Sequence, residues 1–200
     1  MKLGFICINL PGHLNPMTTL ARHLQARNHE VVFLYSASAN GLPCVPGDES
    51  DPINEGRPEV SKLQGEEALA FSVRLLVQRS EAMFKSMPAM LEATGVDALI
   101  IDPIQFHVEL APMTLGVPYI HAAVALHCDY SGYTPFGIYG DPYETTPEAL
   151  ARNRQGVAKF AKILVNKGVQ EYARSAGLKI NWEDPGFTIN SHWELARRLA

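Results

Sequence analysis

Residues 3–8, LGFICI, carry no polar side chain, and the chain breaks soon afterwards at Pro11-Gly12. An uninterrupted apolar run of strand length marks a strand covered on both faces, as in parallel sheets packed between helices; a half-exposed strand would alternate. The next segment changes period. Asn15 is a good helix N-cap with Pro16 at the first helical position, and Met17, Leu20, Ala21 and Leu24 recur at i, i+3, i+4 and i+7. Asn28 can close this helix in a left-handed conformation, and HEVVFLY at 29–35 supplies a second strand. Strand, helix and strand make one βαβ unit, whose crossover is right-handed.

The alternation continues downstream. From Ser36 to Gly65 the chain turns to Gly, Pro, Asp, Ser and Asn; LPCV at 42–45 reads as a short third strand, and much of 47–64 is expected to be a mobile loop. Leu69, Val73, Leu76, Ser80, Met83 and Met87 step by fours and threes, which predicts a long amphipathic helix over 66–93, perturbed near Pro88. DALII at 97–101 is a fourth strand, a helix over about 103–115 ends at Gly116, and VPYIHAAVAL at 117–126 is a further buried strand. Residues 129–145 are rich in Tyr, Gly and Pro without period. Thr146-Pro147 then caps a helix running toward Gly177, and the final stretch ends in a short amphipathic turn.

Alternating β and α elements argue for an α/β fold with a doubly wound, Rossmann-like parallel sheet, here as one domain over 1–200. With strand order 3-2-1-4-5, the first and fourth strands are neighbours and a crevice opens at their carboxyl ends. Neighbouring strands lie about 4.8 Å apart, so side chains just beyond them can meet. Those are His13 and Asp102. A carboxylate on one imidazole nitrogen fixes the tautomer and stabilises the imidazolium, leaving the other nitrogen to take a proton from a bound hydroxyl. Asp102-Pro103 equally suits a helix cap followed by a first-turn proline, so capping is an alternative role for Asp102.

Composition narrows the partners. The formal net charge is -4 and no dense Lys/Arg tract occurs, which removes the electrostatic footprint of a nucleic-acid binder or of a protein held on anionic lipid. Cys7, Cys44 and Cys128 are odd in number and widely spaced, which points to a reducing cytosol and a cytoplasmic, soluble protein. The N-terminal apolar stretch is too short to cross a bilayer. His121, His127 and Cys128 do not form a spaced ligand set, so no metal site is expected there.

PGHLNPMTTLARHLQARNHEVVFL and VDALIIDPIQFHVELAPMTLGVPYI together resemble the N-terminal half of the inverting UDP-sugar-dependent glycosyltransferases of the GT-B fold, nearest by eye to the macrolide and zeaxanthin glucosyltransferases. The clear resemblance covers about 1–35 and 95–126. It implies a hexosyltransferase-type reaction in which His13 is the general base on an acceptor hydroxyl and Asp102 its partner, with inversion at the anomeric carbon. It implies no cofactor beyond the UDP-sugar co-substrate and no obligatory metal. Gly12 and Asn15 beside His13 are expected to contribute to substrate binding. Phe71, Phe84, Tyr130, Tyr133, Phe136 and Tyr139 are candidates for lining a site for an apolar, hydroxylated small-molecule acceptor, with ordinary packing as the alternative for each.

Two departures from the family pattern follow. SASANG, between the second and third strands, is too short for the helix usual there. The donor-binding domain of the family does not follow in this chain, which is then the acceptor-binding half, needing that domain or a partner subunit and expected to be inactive alone. Rival classes are weaker. A nicotinamide enzyme needs G-x-G-x-x-G in the first turn, where only Gly12 stands, and a serine hydrolase needs a G-x-S-x-G elbow, which does not occur. A non-catalytic module that holds an apolar small molecule in the same cleft is the alternative from a different class.

Overall fold

A computed structural model describes residues 1–47, 51–105, 107–125, 130–137, 139–164, 167–180 and 182. The chain divides into two compact units, Met1–Val124 and Ala125–Ala200. The first contains β1 (Lys2–Ile6), α1 (Pro11–Gln25), β2 (Glu30–Leu34), β3 (Cys44–Val45), α2 (Pro52–Val60), α3 (Gly65–Thr94), β4 (Ala98–Ile101), α4 (Leu110–Leu115) and β5 (Tyr119–His121). The five strands form one parallel sheet in the order β3-β2-β1-β4-β5, as expected.

Side chains alternate across a strand, so Leu3 and Phe5 of β1, and Cys7 just beyond it, share one face with Val31 and Phe33 of β2. There they pack with Leu14, Met17 and Ala21 of α1. Phe5 and Phe33 stack with ring centroids 5.0 Å apart. The chain leaves β1 toward β2 on one side and enters β4 on the other, so right-handed crossovers put α1 and α3 on opposite faces. Gly4 faces the α3 side, where an added Cβ would press on Leu99, Leu34 and Val96. From α3, Val73, Leu76, Val77, Met83, Met87 and Leu91 are buried. Pro88 lies inside this helix, and Gly95 ends it at φ 60°.

Several boundaries differ from the sequence-based expectation. α1 starts at Pro11 and not after Asn15: Leu10 is extended, and the N–H groups of His13 and Leu14 bond its carbonyl at 2.9 and 2.8 Å. Proline suits the first helical position because its φ is preset and its missing N–H is not needed. Two Pro-containing starts compete here, and the earlier one adds a helical turn. Pro16 therefore lies inside the helix. Asn28, at φ 65°, does follow the helix in the left-handed region.

Much of 47–64 reads as a mobile loop in the sequence, yet 52–60 form α2. Asp51 caps it, its carboxylate accepting from the Asn54 N–H at 3.4 Å, with Pro52 next in line. The helix expected over 103–115 is confined to Leu110–Leu115, because His107 adopts φ 68° and interrupts helical backbone before it. Gly116 ends it at φ 68°, as expected. β5 is a three-residue edge strand and not a long buried one; Ile120 is 61% exposed. Asp102 caps no helix, since α4 begins eight residues later.

The second unit contains α5 (Pro147–Leu164) and α6 (Lys167–Ser175). Thr146 Oγ1 accepts from the Ala149 N–H at 3.2 Å, the expected cap. Phe136 is buried against Phe160, ring centroids 4.8 Å apart. The terminal amphipathic turn expected after Asn181 lies outside the described residues apart from Trp182.

Candidate active site

His13 is the third residue of α1, carried there by the abrupt change from β1 to helix. Asp102 directly follows β4, and its N–H bonds the Ile6 carbonyl at 2.9 Å, so the ladder between β1 and β4 extends up to the carboxylate itself. His13 Nδ1 and Asp102 Oδ2 are 2.7 Å apart. The carboxylate's other oxygen accepts from the Ile104 N–H at 3.2 Å. Asp102 is 1% exposed and His13 21%. With Nδ1–H donating to the buried carboxylate, Nε2 keeps its lone pair free to accept a proton.

His13 helps to line a cavity of about 390 Å³, whose wall also includes Ile8, Leu10, Ile53, Val60, Leu75, Leu76 and Ile104, with Arg57, Ser61 and Ser72 as its polar members. This apolar wall comes mainly from β1's end, α2 and α3. Gly56 lets α2 close onto α3, since an added Cβ would overlap Leu75. A second cavity, of about 130 Å³, is lined by Asn9, Tyr35, Ser36, Asp51, Arg79 and Met83 among others. Arg79 is buried, its Nη1 donating to Asp51 Oδ1 at 3.2 Å and its Nη2 to the Tyr35 carbonyl at 3.1 Å.

Cys7 is a buried thiol pushed up to about 12, first by burial and then by the Asp102 carboxylate, with Arg79 opposing. The Tyr119 phenol is raised too, by burial and then by Glu109. Among the described residues no group of three or more His, Cys, Asp and Glu could hold a metal ion. His121 is half-buried, edge-on to Tyr119, while His127 and Cys128 lie outside the described residues.

The other candidate residues are spread out. Gly12 is exposed, and a Cβ there would meet nothing. Asn15 is no cap; its Oδ1 accepts from Asn40 Nδ2 at 3.2 Å and its carbonyl from the Thr18 and Thr19 hydroxyls at 3.0 and 2.9 Å. Phe71 is half-buried with the Arg74 guanidinium 5.6 Å over its ring, and Phe84 is buried; α3 lines the large cavity with Ser72, Leu75 and Leu76 instead. In the second unit Tyr130 and Tyr139 pack around Phe136, and Tyr133 is 68% exposed.

Sequence reading missed α2's contribution, Ile53 and Val60, although Asp51-Pro52 is a capping signal. It also passed over Arg79, a charge at i+3 from Leu76 and i-4 from Met83, within the apolar stripe of α3.

No protein-family model matches the sequence. The sheet and its winding are similar to those of the N-terminal half of glycosyltransferases of the GT-B fold. The sequence is 26% identical over 154 residues to UDP-glycosyltransferase 85A3 of Arabidopsis thaliana, a match covering 69% of this chain and 31% of that protein. Among solved structures, the SsfS6 glycosyltransferase of Streptomyces sp. SF2575 has a TM-score of 0.56 at 19% identity, over 89% of this chain and 47% of its own. The glycosyltransferase of kitacinnamycin gives 0.55 at 17% identity, over 96% and 44%. The chain thus spans less than half the length of each of these three proteins. No helix among the described residues is long and apolar enough to cross a membrane.

Proposed function

We propose that this chain is the acceptor-binding half of an inverting glycosyltransferase, which moves a sugar from a UDP-sugar to a hydroxyl of an apolar small molecule. The observation that carries the reading is the 2.7 Å contact between His13 and Asp102 at the edge of an apolar cavity. A module that only stores an apolar ligand has no use for an imidazole backed by a buried carboxylate.

In the proposed reaction the acceptor hydroxyl gives its proton to His13 Nε2 while its oxygen attacks the anomeric carbon. The bond from that carbon to the diphosphate breaks, and the nucleoside diphosphate leaves with the electron pair. Attack opposite the leaving group inverts the centre. The proton rests on the imidazole, where the Asp102 charge stabilises it. The sugar donor would be held by a second domain or subunit. The name of the Arabidopsis relative supports UDP; SsfS6 has been solved with thymidine diphosphate, which supports a pyrimidine nucleotide more generally. The cytoplasm, where nucleotide sugars are made, is the proposed location.

The test is transfer by the chain joined to a donor-binding half, using UDP-glucose and a panel of apolar alcohols and phenols, with product stereochemistry read by NMR. An α-linked donor should yield a β-linked product, and turnover should survive chelation with EDTA. Retention of configuration, or no transfer to any acceptor, would overturn the proposal.

A further inference from the structure

α2 turns one face to the large cavity: Ile53, Arg57, Val60 and the C-cap Ser61, at i, i+4, i+7 and i+8, all line it. The other charged side chains of this helix, Glu55 and Glu59, are exposed and take no part in the wall. Arg57 thus occupies a central position in a stripe that amphipathic patterning gives to apolar residues. It is exposed, so no core packing holds it there and its guanidinium is open to a ligand.

No counter-charge holds it either. Among the described residues the Arg57 guanidinium has neither an ion pair nor a hydrogen-bond partner. The acids near it are engaged elsewhere: Glu59 accepts from Lys62 Nζ at 2.8 Å, and Asp51 caps α2 and accepts from Arg79 Nη1 at 3.2 Å. Glu55, two residues before Arg57, projects from a different side of the helix. The remaining wall offers few donors, because the Ser61 and Ser72 hydroxyls donate to the Pro58 and Ala68 carbonyls, each at 2.8 Å. Arg57 is therefore the cationic group of the cavity, and its N–H donors are free. A planar guanidinium matches a carboxylate with two parallel bonds, whereas a neutral oxygen leaves its charge unbalanced. The Asp102 charge does not oppose such a ligand directly, since it is buried behind its bonds to His13 and the Ile104 N–H.

We infer that Arg57 is a specificity-determining residue, which takes a carboxylate on the acceptor while the hydroxyl to be glycosylated lies at His13. The acceptor class becomes an apolar, ring-sized hydroxy acid. This rests on reading the large cavity as the acceptor site.

The experiment titrates the full chain with a hydroxynaphthoate and with the neutral hydroxynaphthamide of the same shape. Calorimetry at about 0.01 M salt should give roughly fivefold tighter binding of the carboxylate, the upper range for a solvent-exposed ion pair. The preference should shrink to within about twofold at about 1 M salt, where the screening length falls to ~3 Å. Arg57→Gln removes the charge at a position where glutamine suits a helix as well as arginine does. It should bring the two affinities within about twofold at low salt and leave that of the amide unchanged. Lys85→Gln makes the same charge change at an exposed site of α3 outside the wall, and should keep the preference. Should Arg57→Gln fail to fold, the wild-type ratio and its salt dependence decide alone. Equal affinities in the wild type, a preference that salt does not weaken, or one kept in Arg57→Gln or lost equally in Lys85→Gln would each overturn the inference. Arg57 would then be a long stem covering apolar surface, and the acceptor site would stand because the amide still binds. Binding of neither probe would overturn both readings. If the carboxylate preference holds but His13→Ala leaves transfer by the joined enzyme unchanged, the proton-transfer reading falls and the Arg57 site stands.

Discussion

His13 and Asp102 are 89 residues apart in sequence and 2.7 Å apart in space, joined across two hydrogen-bonded neighbouring strands. The contact is set by the β1–β4 register, which pairs Ile6 with Ile101, and by the N–H of Asp102 bonding back to Ile6. Its chemistry is therefore built into the sheet.

Removing the imidazole should act on rate. In the chain joined to its donor-binding half, His13→Ala should lower kcat by roughly two to four orders of magnitude, the usual share of a general base. Acceptor KM should change far less than kcat, because His13 is one lining residue in a cavity whose wall is mostly aliphatic. Steady-state kinetics with UDP-glucose and a phenolic acceptor decide it; near-wild-type turnover would return His13 to a role in loop structure.

Asp102→Asn tests the orienting role separately. The amide oxygen can keep the bond to the Ile104 N–H, which leaves the NH2 group facing His13 Nδ1. Nδ1 must then accept, the proton moves to Nε2, and the base has no lone pair toward the substrate. Turnover should fall by about four orders of magnitude with little change in Tm. Full activity in this variant, with Asp102→Ala losing only stability, would reduce Asp102 to a turn-forming residue.

Gly56→Ala should separate binding from chemistry. The new methyl displaces the Leu75 side chain, which lines the large cavity proposed for the acceptor. The alanine also gains about 0.5–1 kcal/mol of helix preference, so Tm should hold. Acceptor KM should rise severalfold with kcat kept, and Gly56→Ala combined with Leu75→Ala should restore it. A variant that lost kcat instead would show that α2 positions the reacting groups.

Cys7 predicts an alkaline limit. Its thiol is raised from the ordinary value to about 12 in the folded chain, so the folded state favours the protonated form. The stability this contributes is present below the unfolded value near 9 and is lost as pH rises toward 12. Urea midpoints should fall across that window, and less so in Cys7→Ser. At pH 8 iodoacetamide should modify half-buried Cys44 before Cys7, as mapped by peptide mass spectrometry.

The pair was legible in the sequence because two strand patterns, LGFICI and DALII, end just before His13 and Asp102, and the winding rule makes them neighbours. Local signals misled where two of them competed or where packing overrode them. Pro11 and Pro16 both mark a helix start, and only the folded chain chooses between them. α2 contains Gly56 and Pro58, both weak helix formers, yet Gly56 is what allows α2 to close onto α3. The positive φ of His107 is not signalled by residue type: histidine is enriched there relative to most side chains, but only a small minority adopt it. The aromatic candidates rest on residue type within the segments that the family resemblance puts at the acceptor, and residue type carries no direction: Phe84 is turned inward, while Leu75, Leu76 and Ile53 wall the cavity.

None of α2's own side chains is fully buried, although Ile53 and Val60 form part of the cavity wall. Replacing them costs the core little, so this nine-residue helix behaves as an exchangeable part bolted to a fixed frame. On the proposed function, a lineage could trade one acceptor for another by rewriting α2 alone, leaving the sheet and the His13–Asp102 contact as they stand.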